Sequence, residues 1–327
     1  MSGLASRPLV RALLPLVTVL VLGAVFNAGG AFFEWQTHRA LLREISVHGI
    51  LACGMTLVIV TAGIDLSVGS LVGLSAVSFA LLTLPHGFGA LPSVALVLLL
   101  GATLGGTSGA LTAHAKIPAF IVTLAMMVFA RGLAKELSDG QKVSTYVKAE
   151  DGSFVNLPLP AVFEALDARV LGDNVSVVTL LFALTALVTH LVLEHLRVGR
   201  YLYAVGGDLE AARLSGVPVR GTIVFAYAMS GLCAALAGIC QAAQETHGDP
   251  ETGLGYELDA IAMVVLGGTS LAGGRGGIGL TLVGALTLGY LQKVLSLNAY
   301  STELRLMLTG AILVAAVLFQ RRVAREA

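Results

Sequence analysis

Residues 45–84 read ISVHGILACGMTLVIVTAGIDLSVGSLVGLSAVSFALLTL, forty positions in which the only charged side chain is Asp65 and the only histidine is His48. Two apolar runs, 45–63 and 68–84, flank a glycine-bearing break that carries the acid. Crossing a hydrocarbon core of about 30 Å takes about 20 apolar residues, so the stretch reads as two membrane helices folded about a turn. A carboxylate at the bilayer centre costs about 2.5–3.5 kcal/mol on insertion scales, which places Asp65 at an interface or beside a polar cavity.

The rest of the chain has the same character. Its 327 residues are 56% hydrophobic and 12% charged, with a mean hydropathy of +0.86, against about 25% charged in a soluble protein. Twenty basic and twenty acidic residues cancel and aromatics are 6%, which excludes a nucleic-acid surface or a base-stacking platform. Further apolar windows at 9–28, 91–113, 117–135, 174–195, 221–243, 258–270, 278–296 and 303–320 bring the expected spans to ten. The third and eighth are short for the bilayer. The fold class expected is all-α: a polytopic membrane protein of about ten transmembrane helices, with glycine-rich broken or re-entrant segments, forming one transmembrane domain over 1–327.

Arg7 and Arg11 precede the apolar run 12–26, but no A-x-A site follows it, so the run reads as an uncleaved first span. With the N-terminus inside, eleven of the twenty Lys/Arg but only five of the twenty Asp/Glu fall on the cytoplasmic side. The positive-inside rule therefore puts both termini in the cytoplasm. Two segments outside the spans are long enough to have tasks: an external loop, 136–173, with a short helix expected around 161–168, and a cytoplasmic segment, 196–220. Neither is large enough for an independent domain, so any ATPase must be another chain.

Four motifs stand out. In Thr61-Ala-Gly-Ile-Asp-Leu-Ser-Val-Gly-Ser70, Asp65 or Ser67 could cap the following helix through its free amides, or Asp65 could meet a substrate. In Gly199-Arg-Tyr-Leu-Tyr-Ala-Val-Gly-Gly207 and its continuation to Gly216, Asp208 can cap a short helix that Gly216 and Pro218 end. That helix could dock in a groove of a soluble partner or lie on the membrane surface. Gly248-Asp-Pro-Glu-Thr-Gly-Leu-Gly-Tyr-Glu-Leu-Asp259 is an acidic external turn, open to a basic ligand, a soluble receptor or only to water. Leu266-Gly-Gly-Thr-Ser-Leu-Ala-Gly-Gly-Arg-Gly-Gly-Ile-Gly279 contains a formal G-x-G-x-x-G, but it joins two spans where a dinucleotide site needs a βαβ unit. It reads instead as a broken helix or tight re-entrant turn.

Other features are structural. Gly101, Gly105 and Gly109 at spacing four are helix-packing positions. Cys53, Cys233 and Cys240 lie in apolar stretches and read as reduced, buried side chains. No Walker A motif, H-E-x-x-H or G-x-S-x-G occurs, and the seven histidines have no partner at metal spacing, so neither an enzyme, a metal site nor a cofactor on this chain is expected. A faint repeat relates Met55-Thr-Leu-Val-Ile-Val-Thr61 to Met263-Val-Val-Leu-Gly-Gly-Thr269. Either the apolar alphabet produces it by coincidence, or the chain has duplicated halves with a pathway between them.

In order along the chain, the Asp65 string (62–70), the string 199–216, and Gly255-Tyr-Glu-Leu-Asp-Ala-Ile-Ala262 with Val265-Leu-Gly-Gly-Thr-Ser-Leu-Ala-Gly-Gly274 resemble the ribose-type permeases of bacterial ABC sugar importers. The likeness covers roughly 45–320 and is weakest in the first span and in 136–173. It implies a permease subunit of the bacterial inner membrane that pairs with a second permease copy, identical or related. It further implies a cytoplasmic ABC ATPase that binds the ATP and Mg, and a periplasmic sugar-binding protein that delivers a monosaccharide. Gly199, Arg200, Asp208, Glu210, Ala211, Ala212, Arg213, Leu214 and Gly216 are then the residues coupled to the ATPase. Gly63, Asp65, Ser67, Gly69, Gly267, Gly268 and Thr269 would lie near the pathway or its gates, and Glu251, Tyr256 and Glu257 would meet the binding protein. The implied activity is transport by alternating access, powered by ATP on the partner. The rival is a self-contained ion-coupled secondary sugar transporter, which would want ionisable residues deep in its spans.

Overall fold

The computed structural model describes residues 8–148, 153–301, 303–308, 310–311 and 314. Nine of the ten expected spans coincide with helices: α1 (Pro8–Val25), α2 (Trp35–Val60), α3 (Val68–Thr83), α4 (Ala90–His114), α5 (Ala119–Leu137), α7 (Val177–His195), α10 (Val219–Glu245), α11 (Tyr256–Leu266) and α12 (Ile278–Leu297). Among the described residues, five helices (α2, α4, α7, α10 and α12) are long and apolar enough to cross a membrane. Residues 303–308 are helical, but half of the tenth expected span, and both termini, lie outside the described residues. Three more helices stand outside the expected spans: α6 (Ala161–Asp167), in the segment 136–173 where a short helix was expected, and α8 (Arg197–Gly207) and α9 (Leu209–Leu214), in the segment 196–220. Two small antiparallel hairpins, β1 (Tyr146–Lys148) with β2 (Phe154–Asn156) and β3 (Arg169–Val170) with β4 (Val175–Ser176), lie between α5 and α7.

The core forms around α10, which packs most extensively on α4 and also on α2 and α3. Close approach needs small residues where no hydrophobic force draws helices together in lipid. At Gly101 a Cβ would collide with the Gly231 carbonyl, at Gly105 with the Tyr227 carbonyl, and at Gly109 it would lie 2.8 Å from the Val224 Cα. The spacing-four glycines of α4 are thus the seam with α10. The residues of α2 from Ile45 to Val60 are buried apart from His48, as are most of α3, so α2 and α3 are central rather than peripheral. The three cysteines are buried and free.

Connecting segments gather at two opposite ends. At one, Val143 and Gly248 exchange amide hydrogen bonds of 2.8 and 2.9 Å, the Trp35 indole donates to Asn174 at 2.7 Å, and Arg43 pairs with Asp167. At the other, the Gly274 amide donates to the Val60 carbonyl at 2.9 Å, and the Tyr203 hydroxyl donates to the Gly276 carbonyl at 2.9 Å.

α2 begins ten residues before the expected span. The added stretch, Trp35 to Glu44, carries Arg39, Arg43 and Glu44, whose charges excluded it from an apolar window. These side chains find partners at the first end: Arg39 on the Asp173 carbonyl, Arg43 on Asp167, and Glu44 on Lys293 at 2.9 Å. α11 spans only eleven residues, about 16 Å at 1.5 Å per residue, roughly half the hydrocarbon core.

Candidate functional site

The break after α2 is a helix terminus closed by its own backbone. The Gly63 amide donates to the Val58 carbonyl and the Ala62 amide to that of Ile59, with Ala62 at φ +62°. This is the Schellman pattern, a 6→1 and a 5→2 hydrogen bond about a left-handed residue. α11 ends in the same way: the Thr269 amide donates to the Val264 carbonyl and the Gly268 amide to that of Val265, with Gly268 at φ +102°. The two caps match Ala62 with Gly268, whereas the sequence repeat matches Thr61 with Thr269. The structural correspondence is therefore two residues out of register with the sequence one.

Asp65 follows the first cap and is fully buried. Its Oδ1 accepts from the Ser67 amide at 3.0 Å and from the Ser67 hydroxyl at 2.6 Å, and its Oδ2 accepts from Ser230 of α10 at 2.9 Å. The preceding carbonyl, of Ile64, accepts from Thr123 of α5 at 3.3 Å and from the Tyr227 hydroxyl at 3.4 Å. A polar seam thus ties the turn to α5 and α10, and Gly63 leaves room for Tyr227, whose hydroxyl would be 2.6 Å from a Cβ. Thr123, Tyr227 and Ser230 were not singled out in the sequence. Their signal was a hydroxyl inside an apolar helix, which is too common to choose among.

The second glycine-rich turn, 267–277, sits beside the first. At Gly273 a Cβ would lie 2.8 Å from the Ala62 amide nitrogen. Gly267 is pressed on the Leu280 carbonyl, and Thr269, fully buried, accepts from the Gly277 amide at 3.4 Å. Of the seven residues expected near a pathway, six (Gly63, Asp65, Ser67, Gly69, Gly267 and Thr269) are buried in the single chain and Gly268 is exposed.

The end of α8 wedges into both turns. At Gly206 a Cβ would collide with the Val60 carbonyl and stand 2.7 Å from the Gly274 amide. The corner from α7 into α8 is equally tight, since Gly199 lies on the Leu193 and Val192 carbonyls. Asp208 then caps α9, accepting from the Glu210 and Ala211 amides at 2.9 Å each. Gly216 at φ +80° ends α9, and the Val217 amide donates back to the Ala212 carbonyl. Only Ala212 of α9 is buried. Arg200, Glu210, Ala211 and Arg213 are exposed, and so are two apolar side chains, Leu209 at 49% and Leu214 at 79%. Glu210 and Arg213 pair with one another.

The acidic turn, whose Gly253 and Thr252 carbonyls lie against Gly69 and Gly73 of α3, is held by cations. Arg131 of α5 donates to the Pro250 and Thr252 carbonyls. Lys135 pairs with Glu251 at 2.5 Å and Lys142 with Asp249 at 3.1 Å. Burial raises the pKa of Asp249, but the Glu251 amide and the Lys142 ammonium outweigh it and hold the carboxyl below its ordinary range. Of the three residues expected to meet a binding protein, Glu251 is exposed. Tyr256 is half-buried, its ring 4.2 Å from that of His48, and Glu257 is half-buried against Gly69.

Comparison with known proteins agrees with this architecture. The family model described as branched-chain amino acid transport system / permease component matches residues 37–317. The chain is 40% identical over 309 residues to the ribose import permease protein RbsC of Escherichia coli (strain K12), covering 94% of this chain and 92% of that protein. It is 36% identical to RbsC of Bacillus subtilis (strain 168), covering 94% and 91%, and 34% identical to the xylose transport system permease protein XylH of Escherichia coli (strain K12), covering 97% and 93%. No solved structure matches the chain.

Proposed function

The chain belongs to the ribose-type permeases of ABC importers, and on that premise we propose that it is the membrane subunit of a monosaccharide importer whose ATP is hydrolysed on a separate cytoplasmic ATPase. The family model's description mentions amino acids, but the similar relatives carry sugar names, and it is these relatives that support a sugar as cargo. The observation that carries the reading is α9, a capped helix that stands out from the bundle with Leu209 and Leu214 bare, on a base anchored through Gly206 to both glycine-rich turns.

A push on α9 would reach Val60 of α2 and Gly274, before α12, through rigid backbone contacts. That is a mechanical route by which closure of two ATPases around ATP and Mg would rock the spans between outward-open and inward-open states. The buried polar seam at Asp65 makes the α2–α3 turn a rigid joint. Glu251, exposed on a loop braced by Arg131 and Lys135, is the residue of that loop best placed for a periplasmic binding protein. A second permease copy, identical or related, would complete the pathway, in the inner membrane with both termini cytoplasmic. The experiment is Arg213→Glu together with Leu214→Asp in the complex. Loss of ATPase co-purification, with membrane insertion intact, is the expected result; a fully assembled and importing double variant would refute the docking role of α9.

A further inference from the structure

An ionisable group at bilayer depth is costly unless it meets a partner, water or a ligand. α2 and α11 bring such groups together away from the glycine-rich turns. His48 is the one incompletely buried residue of α2 between Ile45 and Val60. Its Nε2 lies 3.6 Å from Asp259 Oδ2, and its ring lies 4.2 Å from that of Tyr256, tilted by 43°. Tyr256 and Asp259, three apart on α11, share a helix face. Glu245, at the end of α10, accepts from Gln241 at 2.7 Å.

The depth follows from α11 itself. Its end is fixed beside Val60 through the 267–277 turn, and eleven residues rise about 16 Å, so its first residue, Tyr256, starts about half the thickness of a hydrocarbon core away from that turn. The group is also unsaturated and open. Asp259 can accept several hydrogen bonds, yet its nearest partner among the described residues is the His48 nitrogen at 3.6 Å, beyond hydrogen-bond length. The Tyr256 hydroxyl has no hydrogen-bond partner among the described residues. The His48 and Asp259 side chains are 22% and 24% exposed. A carboxylate, an imidazole and a phenol cannot open onto lipid, so this face looks onto an aqueous passage.

We propose that the Tyr256–Asp259 face of α11, with His48 of α2, is the surface of the pathway that contacts the sugar, and that the buried glycine-rich turns are not. The chemistry fits a neutral polyol. A carboxylate can accept from two adjacent hydroxyls, an imidazole and a phenol can each donate or accept, and an aromatic ring can cover the C–H face of a pyranose or furanose. This rests on the importer reading above.

The test uses the assembled permease and ATPase in nanodiscs, with D-ribose and D-xylose as probes. Tyr256→Cys is compared with Leu99→Cys on the exposed, apolar side of α4, and the three native cysteines are buried. A charged methanethiosulfonate reagent is expected to label position 256 at least tenfold faster than position 99, and a transported sugar to slow that labelling. Tyr256→Phe, which keeps the ring, is expected to cut uptake by the matching binding-protein system about tenfold, the loss of one or two hydrogen bonds. If wild-type protein imports a sugar while position 256 stays unlabelled, the inference is wrong and this face is a dry contact between permease copies; normal import by Tyr256→Phe overturns the sugar contact. If wild-type protein imports neither sugar, the pentose-importer reading itself fails, whereas labelling at 256 would still report an aqueous face.

Discussion

At the scale of single residues, Asp65 shows most clearly how a sequence signal becomes structure. Its position between two apolar runs pointed to a cap, a substrate contact or a cavity. The structure gives it three hydrogen bonds, from Ser67 and from Ser230, which is 165 positions further along the chain and outside any local pattern. Replacing Asp65 by Ala leaves the Ser67 and Ser230 hydroxyls buried without this partner, at about 1–3 kcal/mol for each unsatisfied group. Thermal denaturation in detergent should show a clear fall in Tm for Asp65→Ala and a smaller one for Asp65→Asn, which keeps an acceptor; equal stability of all three would mean that the seam is unimportant. Gly206→Val should be as damaging, because a Cβ there meets the Val60 carbonyl, while Gly207→Ala, with open space at its Cβ, should be tolerated. The same assay distinguishes them. The sequence marked neither glycine as different from the other, since the distinction lies in what faces each one.

At the scale of elements, the helices were legible wherever apolar runs were long, and least so at their ends. α2 reached back to Trp35 because Arg39, Arg43 and Glu44 found partners in a loop and in two helices, α6 and α12, more than 120 residues away. The segment between α5 and α7 hid two hairpins, since strands of two or three residues leave no readable alternation. α6 and α9 were foreseen, one from its proline entry and the other from its Asp208 cap and Gly216 stop. For the acidic turn, pH dependence follows from Asp249. Its folded carboxyl lies below the ordinary carboxylate range, so its ion pair with Lys142 contributes fully above the unfolded pKa and is lost as pH falls through the lowered folded value. Proteolysis of the 246–255 turn should therefore stay slow from neutral to mildly acidic pH and accelerate only in stronger acid. Asp249→Asn should be cut faster at neutral pH; identical cleavage of the two proteins would show that the pair does not brace the loop.

At the scale of the whole molecule, the composition alone established a membrane bundle, and the order of three glycine-containing strings carried the family. The expected pathway residues were harder to place. Glycines mark both tight packing and open passages, and here most of them are buried against backbone. What the sequence could not display was adjacency: α8, the α2 turn and the 267–277 turn meet at one end although they lie up to 217 positions apart. The central claim is that force enters at α9 and that ATP on another chain supplies it. The most direct measurement is sugar uptake into proteoliposomes holding this chain with its co-purified ATPase and the matching binding protein, with ATP at the cytoplasmic face and ion gradients removed by ionophores. The account predicts uptake of D-ribose or D-xylose that needs ATP hydrolysis, survives the ionophores, and disappears with Arg213→Glu. Uptake that continues without ATP and collapses with the ion gradient would contradict it and make the chain a self-contained secondary transporter.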